Sequence, residues 1–197
     1  LVTPIGDLHT DAPGVAMIGG DIIGQSMLFE DRVRLIGSSA VSAAGFVHFG
    51  SPVEGGGFDL AVASPLTFFD GNVTGVGALS TDEEGVTVLH APLFRAGSIA
   101  MDDMVLLESD VVLNAATISR FGGVNGPHHV TSYSGATALF HGDVGDVTPI
   151  SSLNVKAGDV ITFDANLVRA AGSITLDGVS PLGRTPQAAA IAGVGGD

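Results

Sequence analysis

The chain has 197 residues, 45% of them hydrophobic, and a formal charge of −14 from 21 acidic against 7 basic side chains. That balance excludes nucleic-acid binding, which needs clustered Lys and Arg to neutralise phosphates, and although the mean hydropathy is +0.46, no run of about 18 apolar residues is present to span a membrane. Cysteine is absent, which excludes disulfides, thiol catalysis and Cys-based metal sites, and 29 Gly beside a single Lys argue against long amphipathic helices.

A Cys-free, Gly-rich, acidic composition fits an extracellular or cell-surface setting. With no initiator Met and no signal peptide, the chain is expected to be a mature or excised piece of a longer precursor. Its high charge suits a surface that meets salt or divalent cations.

Residues 1–24 are predicted as an N-terminal capping segment, because Pro4, Pro13 and several Gly interrupt short apolar runs such as Val15 to Ile18, and the end of a stacked sheet must hide its unpaired edge. Asp7, His9 and Asp11 alternate there and would share one face of a strand. They are read as a polar loop before Pro13, with a metal cluster as the sharper alternative. Residues 25–180 are predicted as one solenoid domain. Alternation runs from Arg32 to Val47, and Gly45 precedes Gly122 by 122 − 45 = 77 residues, close to three repeats. Ser51 to Gly57 reads as a loop. Val62-Ala63-Ser64-Pro65-Leu66 matches Leu89-His90-Ala91-Pro92-Leu93 at an offset of 27. Asn72 to Leu79 is predicted as strand between turns at Asp70-Gly71 and Glu83-Glu84-Gly85.

From Val86 to Val124 one pattern is written twice, as Val88 to Phe94 closing on Gly97-Ser98-Ile99 and as Val112 to Ile118 closing on Gly122-Gly123-Val124. A third copy runs Thr162 to Val168 and closes on Gly172-Ser173-Ile174. The anchors Leu89, Leu113 and Phe163 are spaced 113 − 89 = 24 and 163 − 113 = 50 apart, so a degraded copy is expected at Phe140 to Val144. Each copy is a short β-prone run, a polar corner (His90, Asn114, His141, Asp164) of residue types that tolerate positive φ, a second apolar run and a Gly corner. Such a period marks a repeat architecture. The predicted fold is all-β, a right-handed parallel β-helix of about five to six coils stacked at roughly 4.8 Å, with Leu89, Leu113 and Phe163 in one interior row and Asn114 in a left-handed bend. A β-sandwich or jelly roll is the alternative.

Asp70 to Asp82 with Gly85 to Leu89, Ala96 to Ile99 with Val111 to Ala115, and Arg169 to Leu176 resemble the repeats of filamentous-haemagglutinin-like bacterial adhesins. The resemblance covers roughly Asp70 to Gly178. It implies a large, secreted or surface-attached β-helix that works by presenting a long stiff surface, and it brings no catalytic residues with it.

After Val124, Asn125 to His129 reads as a loop, in which the side chains of His128 and His129 would point apart. Asp143 and Asp146 lie three apart in a Gly-rich turn and form the candidate metal site, with Ca²⁺ as the ion it would take through carboxylate and backbone oxygens; a solvated turn is the plainer reading. Residues 181–197 lose the strand pattern and are predicted as a C-terminal cap or linker, with Gln187 to Ala192 as a brief helical cap. No nucleophile elbow, phosphate loop, HExxH or GxGxxG-plus-acid arrangement is present, so a non-catalytic role is expected. The enzyme alternative is a β-helix acting on acidic polysaccharide, with Asp102, Asp103, Glu108 and Asp110 near Arg95, Arg120 and Arg169. The expected function is a structural or adhesive building block whose partners are copies of itself, flanking repeats or glycans.

Overall fold

The computed structural model describes residues 4–178, and within them the chain folds as 22 strands with no helix. All strand pairs are parallel, which excludes the antiparallel sandwich, and the chain winds into a β-solenoid of about nine coils. One interior column records the winding: Leu8, Met27, Val47, Thr67, Thr87, Val105, Val124, Val144 and Val168 stand directly above one another. Each of the first seven coils passes once through a seven-stranded sheet, the first face, and the last two continue it through isolated bridges at Val144 and Val168. The chain then crosses a fifteen-stranded sheet twice, on a second and a third face. Residues 8–24 already form a coil: Leu8–Thr10, Val15–Ile18 and Ile22–Gly24 pair with Met27–Phe29, Arg32–Leu35 and Ser39–Ala43. The region 181–197, with Gln187 to Ala192, lies outside the described residues.

Strict alternation builds these strands. In Arg32–Leu35 both Arg face out while Val33 and Leu35 are buried, and Ser39–Ala43 repeats the pattern with smaller side chains. β-branched and aliphatic residues fill the inner positions of a pleated surface at low entropic cost. In the fourth and fifth coils the second and third faces fuse into single nine-residue strands, Val73–Thr81 and Leu93–Met101. Glycine makes that bend possible. Gly75 sits at φ 68° where the register slips between Thr74 and Val76, and a Cβ on Gly97 would lie 2.4 Å from the carbonyl oxygen of Gly77.

Phenylalanine organises the core. Phe29, Phe49 and Phe69 stack on the first face with centroids 5.3 and 5.1 Å apart. Phe94, on the second face, meets Phe69 edge-on at 5.5 Å. Phe121, Phe140 and Phe163 continue the ladder on the third face at 5.1 and 4.8 Å. Each of these coils therefore contributes one large ring, and the ring's address moves around the cross-section.

The coil count and the register differ from the sequence reading. Leu89 pairs with Phe69 and Leu107 on the first face, Leu113 with Phe94 and Ser132 on the second, and Phe163 with Phe140 on the third. They occupy three rows, not one. All three faces share the same local grammar, an inward apolar residue followed by a polar one, so segments from different faces align well at a false period. Asn114 lies inside the strand Val111–Ala115, paired with Arg95 and Tyr133, and is extended rather than left-handed.

The interior also holds polar groups, several of them satisfied by a neighbouring hydroxyl. Ser64 and Thr67 hydroxyls share a hydrogen bond of 2.9 Å. Asp103, 3% exposed, accepts from the Thr81 hydroxyl at 2.9 Å and from the Thr87 hydroxyl at 2.7 Å. Burial pushes its carboxyl above the usual carboxylate range, and the two Thr hydroxyls only partly offset that.

Candidate interaction face

Parallel sheets are ordinarily apolar and covered on both sides. The first face obeys this rule inside the solenoid and also carries large apolar groups outside it. Leu66, Val86 and Met104 form one outward column, and Leu28, His48, Phe68, Val88 and Leu106 form the next. Met104 is 42% exposed. Val88, flanked along its column by Phe68 and Leu106, is shielded by them. At the C-terminal end of this face the turn around Val147 folds across it, because the Val147 and Thr148 N–H groups donate to the side-chain oxygen of buried Asn125 at 2.9 and 3.1 Å.

A charged margin runs beside the apolar columns. Glu30, Asp70, His90 and Glu108 follow the strands of the first face, each with its N–H bonded to the preceding coil. Asp70 is held between two imidazoles: His48 Nε2 lies 2.7 Å from one carboxylate oxygen and His90 Nδ1 lies 2.7 Å from the other. Phe68 packs against both rings, at centroid distances of 5.2 Å from His48 and 6.5 Å from His90. Partial burial raises the Asp70 carboxyl, but the hydrogen bonds and charges of the two His outweigh it and hold the group below the usual carboxylate range. The margin thus fixes a rigid pattern of acceptors next to an apolar strip.

The residues singled out for metal binding or catalysis are distributed elsewhere. Asp143 Oδ1 accepts from the backbone N–H groups of Asn166 and Leu167 at 2.7 and 2.9 Å, which commits it to joining adjacent coils. Asp146 is exposed. His9 faces Glu30 of the next coil at 3.5 Å. Among the described residues no group of three or more His, Cys, Asp or Glu is arranged to hold a metal ion. Asp110 Oδ1 accepts from the His129 backbone N–H at 2.9 Å and lies 3.6 Å from His128 Nδ1, while the His129 ring is bonded to the Ser152 hydroxyl at 2.6 Å. That backbone bond, with the nearby His charges, lowers the Asp110 carboxyl.

The carboxylates and Arg of the polysaccharide reading are not gathered into one site. Asp103 points into the core, while Asp102, its side chain only 10% exposed, pairs with Arg120 on the next coil, with His141 Nε2 3.8 Å away. Glu108 belongs to the margin of the first face. Arg95 lies on the second face opposite Thr74 and Asn114, and Arg169 sits between the bridged residues Val168 and Ala170. Sequence reading missed the His48, Asp70 and His90 trio. Its signal was the step of about one coil between His48, Phe68 and Val88, which becomes visible only with the true register. Compared with protein-family models, with curated proteins and with solved structures, the chain returns no match.

Proposed function

We propose that the chain is a non-catalytic structural building block, at or outside the cell surface, which associates with copies of itself through the outer side of the first face. The observation that carries this reading is the apolar double column on the outside of a parallel sheet, with Met104 and Phe68 on its surface. Apolar surface that is contiguous and rimmed by polar groups is the usual mark of an interface. Against a polysaccharide-cleaving enzyme stands the commitment of its candidate groups to coil-to-coil contacts: Asp103 to Thr81 and Thr87, Asp102 to Arg120, and Asp110 to the His129 N–H. A charge of −14 opposes the approach of copies, so association should strengthen as salt or Ca²⁺ screens it. Sedimentation velocity and electron microscopy across protein concentration, salt and Ca²⁺ test the reading. Oligomers or fibres are expected, with Met104→Glu weakening them; a strictly monomeric chain under all these conditions refutes it.

A further inference from the structure

We infer that two copies join first face to first face with their solenoid axes reversed, related by a two-fold axis that runs along the strands, and that this contact closes as a dimer. This rests on the self-association just proposed and specifies its geometry.

The outer side of the first face carries a knob at one end and a hollow at the other. The knob is the turn 145–149, which lies over the seventh coil, and Val147 on it is 73% exposed, the most exposed large apolar side chain among the described residues. It is held in place: the Val147 and Thr148 N–H groups donate to Asn125 Oδ1, and the Gly126 N–H donates to the Thr148 carbonyl at 3.3 Å. A knob fixed in advance loses little conformational freedom on docking. The hollow lies at the second coil, a cavity of about 240 Å³ lined by Asp7, Leu8, His9, Ser26, Leu28 and Phe46. It exists because Ser26 is small where the same outward column continues as Phe46, Leu66, Val86 and Met104. Asn125, beneath the knob, belongs to the outward column of His9 and Leu28, which wall the hollow.

A two-fold along the strands leaves every column facing itself and reverses the order of the coils. Seating the knob in the partner's hollow sets the seventh coil against the second, and therefore the third against the sixth and the fourth against the fifth. Phe46 and His48 then meet the partner's Met104 and Leu106, while Leu66 and Phe68 meet the partner's Val86 and Val88, so the apolar strip is matched along its length. Copies lying in the same axial direction would bring both knobs to one level and hold the strips apart there. Six rungs of roughly 4.8 Å, each about 17 Å wide from Ser26 to Glu30 or its equivalents, give about 490 Å² a side, below the about 800 Å² of a standard stable interface. The dimer is therefore weak. It is also closed, because a two-fold contact uses the same patch on both copies and leaves none free for a third.

The chain has no Cys, so single introduced thiols report the arrangement. Ser26→Cys and Val147→Cys, each with an unchanged far-UV spectrum, are oxidised mildly alone and as an equimolar mixture, then run on a non-reducing denaturing gel. The mixture should link into dimers and neither variant alone should. In sedimentation velocity the parent should stop at the dimer, and Val147→Glu should bind itself at least tenfold more weakly. Linking of Val147→Cys to itself, a mixture that stays unlinked while the parent sediments as a dimer, undiminished association of Val147→Glu, or a parent that grows past the dimer overturns the two-fold geometry while leaving self-association standing. A parent that is monomeric throughout removes both.

Discussion

Replacing Phe49 by Ala tests whether the phenylalanine ladder is what couples one coil to the next. Phe49 is fully buried, and its ring lies within 9° of parallel to both neighbours, 5.3 Å from Phe29 and 5.1 Å from Phe69. A buried Phe→Ala change costs about 3–5 kcal/mol through lost transfer energy and an unfilled cavity. Two features put Phe49 at the upper end. The coils above and below are pinned by continuous ladders and cannot close on the gap, and two stacked pairs worth about 0.5–1.5 kcal/mol each are lost together. A loss of about 5 kcal/mol is expected. Phe163, only half-buried and with one stacked neighbour at 4.8 Å, should cost about 2–3 kcal/mol on the same reasoning. Urea titration followed by far-UV circular dichroism measures both. Because solenoid stability is a sum over neighbouring repeats, Phe49→Ala should also lower the denaturant slope by uncoupling the flanking coils. Equal losses for the two variants, or a loss below about 2 kcal/mol at Phe49, would refute the argument that the ladder binds the coils.

Asp103 titrates above its ordinary value in the fold, so the stability it contributes is full below about pH 4 and is lost as pH rises through the raised value; Asp103→Asn should flatten thermal stability across that range, and a persisting slope would point elsewhere. Asp103→Leu should instead cost about 1–3 kcal/mol by leaving the Thr81 and Thr87 hydroxyls buried without their acceptor. Asp70 has the opposite sign: its lowered carboxyl contributes stability above about pH 4 that disappears as pH falls through the lowered value. Asp70→Asn should remove that part of the acid-unfolding limb, seen by circular dichroism between about pH 5 and 2. Asp143→Ala should lower stability by about 0.5–2 kcal/mol, as loss of a side-chain cap does, by freeing the Asn166 and Leu167 N–H groups. If Ca²⁺ raises the melting temperature of the parent and Asp143→Ala abolishes that shift, the carboxylate is a cation ligand rather than a coil-to-coil cap.

The fold class was legible because its cause is local. Alternation in Arg32–Leu35 and in Ser39–Ala43, punctuated by Gly and polar residues, specifies short strands with one buried side wherever they pair. Register was hidden for a physical reason. Successive rungs of the column from Leu8 to Val168 are separated by unequal lengths of chain, because the corners absorb extra residues without disturbing the ladders. The clearest marker of the true period was Phe29, Phe49 and Phe69, equally spaced, but the ladder then leaves that face at Phe94 and the signal breaks. The candidate surface depended on register entirely. Asp102 and Asp103 are chemically identical neighbours; one, largely covered, pairs with Arg120 of the next coil and the other is sealed among Thr hydroxyls. In a strand a shift of one residue exchanges those fates.

The migration of the phenylalanine ladder has a bearing on how the molecule can change length. Between Phe29 and Phe69 the rings keep one address, and Met27, Val47 and Thr67 mark equal coils. A duplicated stretch such as 47–66 would enter there as an extra storey, its ring landing between two others on the same wall. Between Phe69 and Phe121 the ring crosses from wall to wall, and a duplicated coil would set two rings against one space on one side and leave a void on the other. Growth by copying is thus open where the ring keeps one address and closed at the crossing. The molecule has stretches of constant ring address on either side of a fixed joint, and variants that differ in length should carry their added coils before Phe94 or after Phe121.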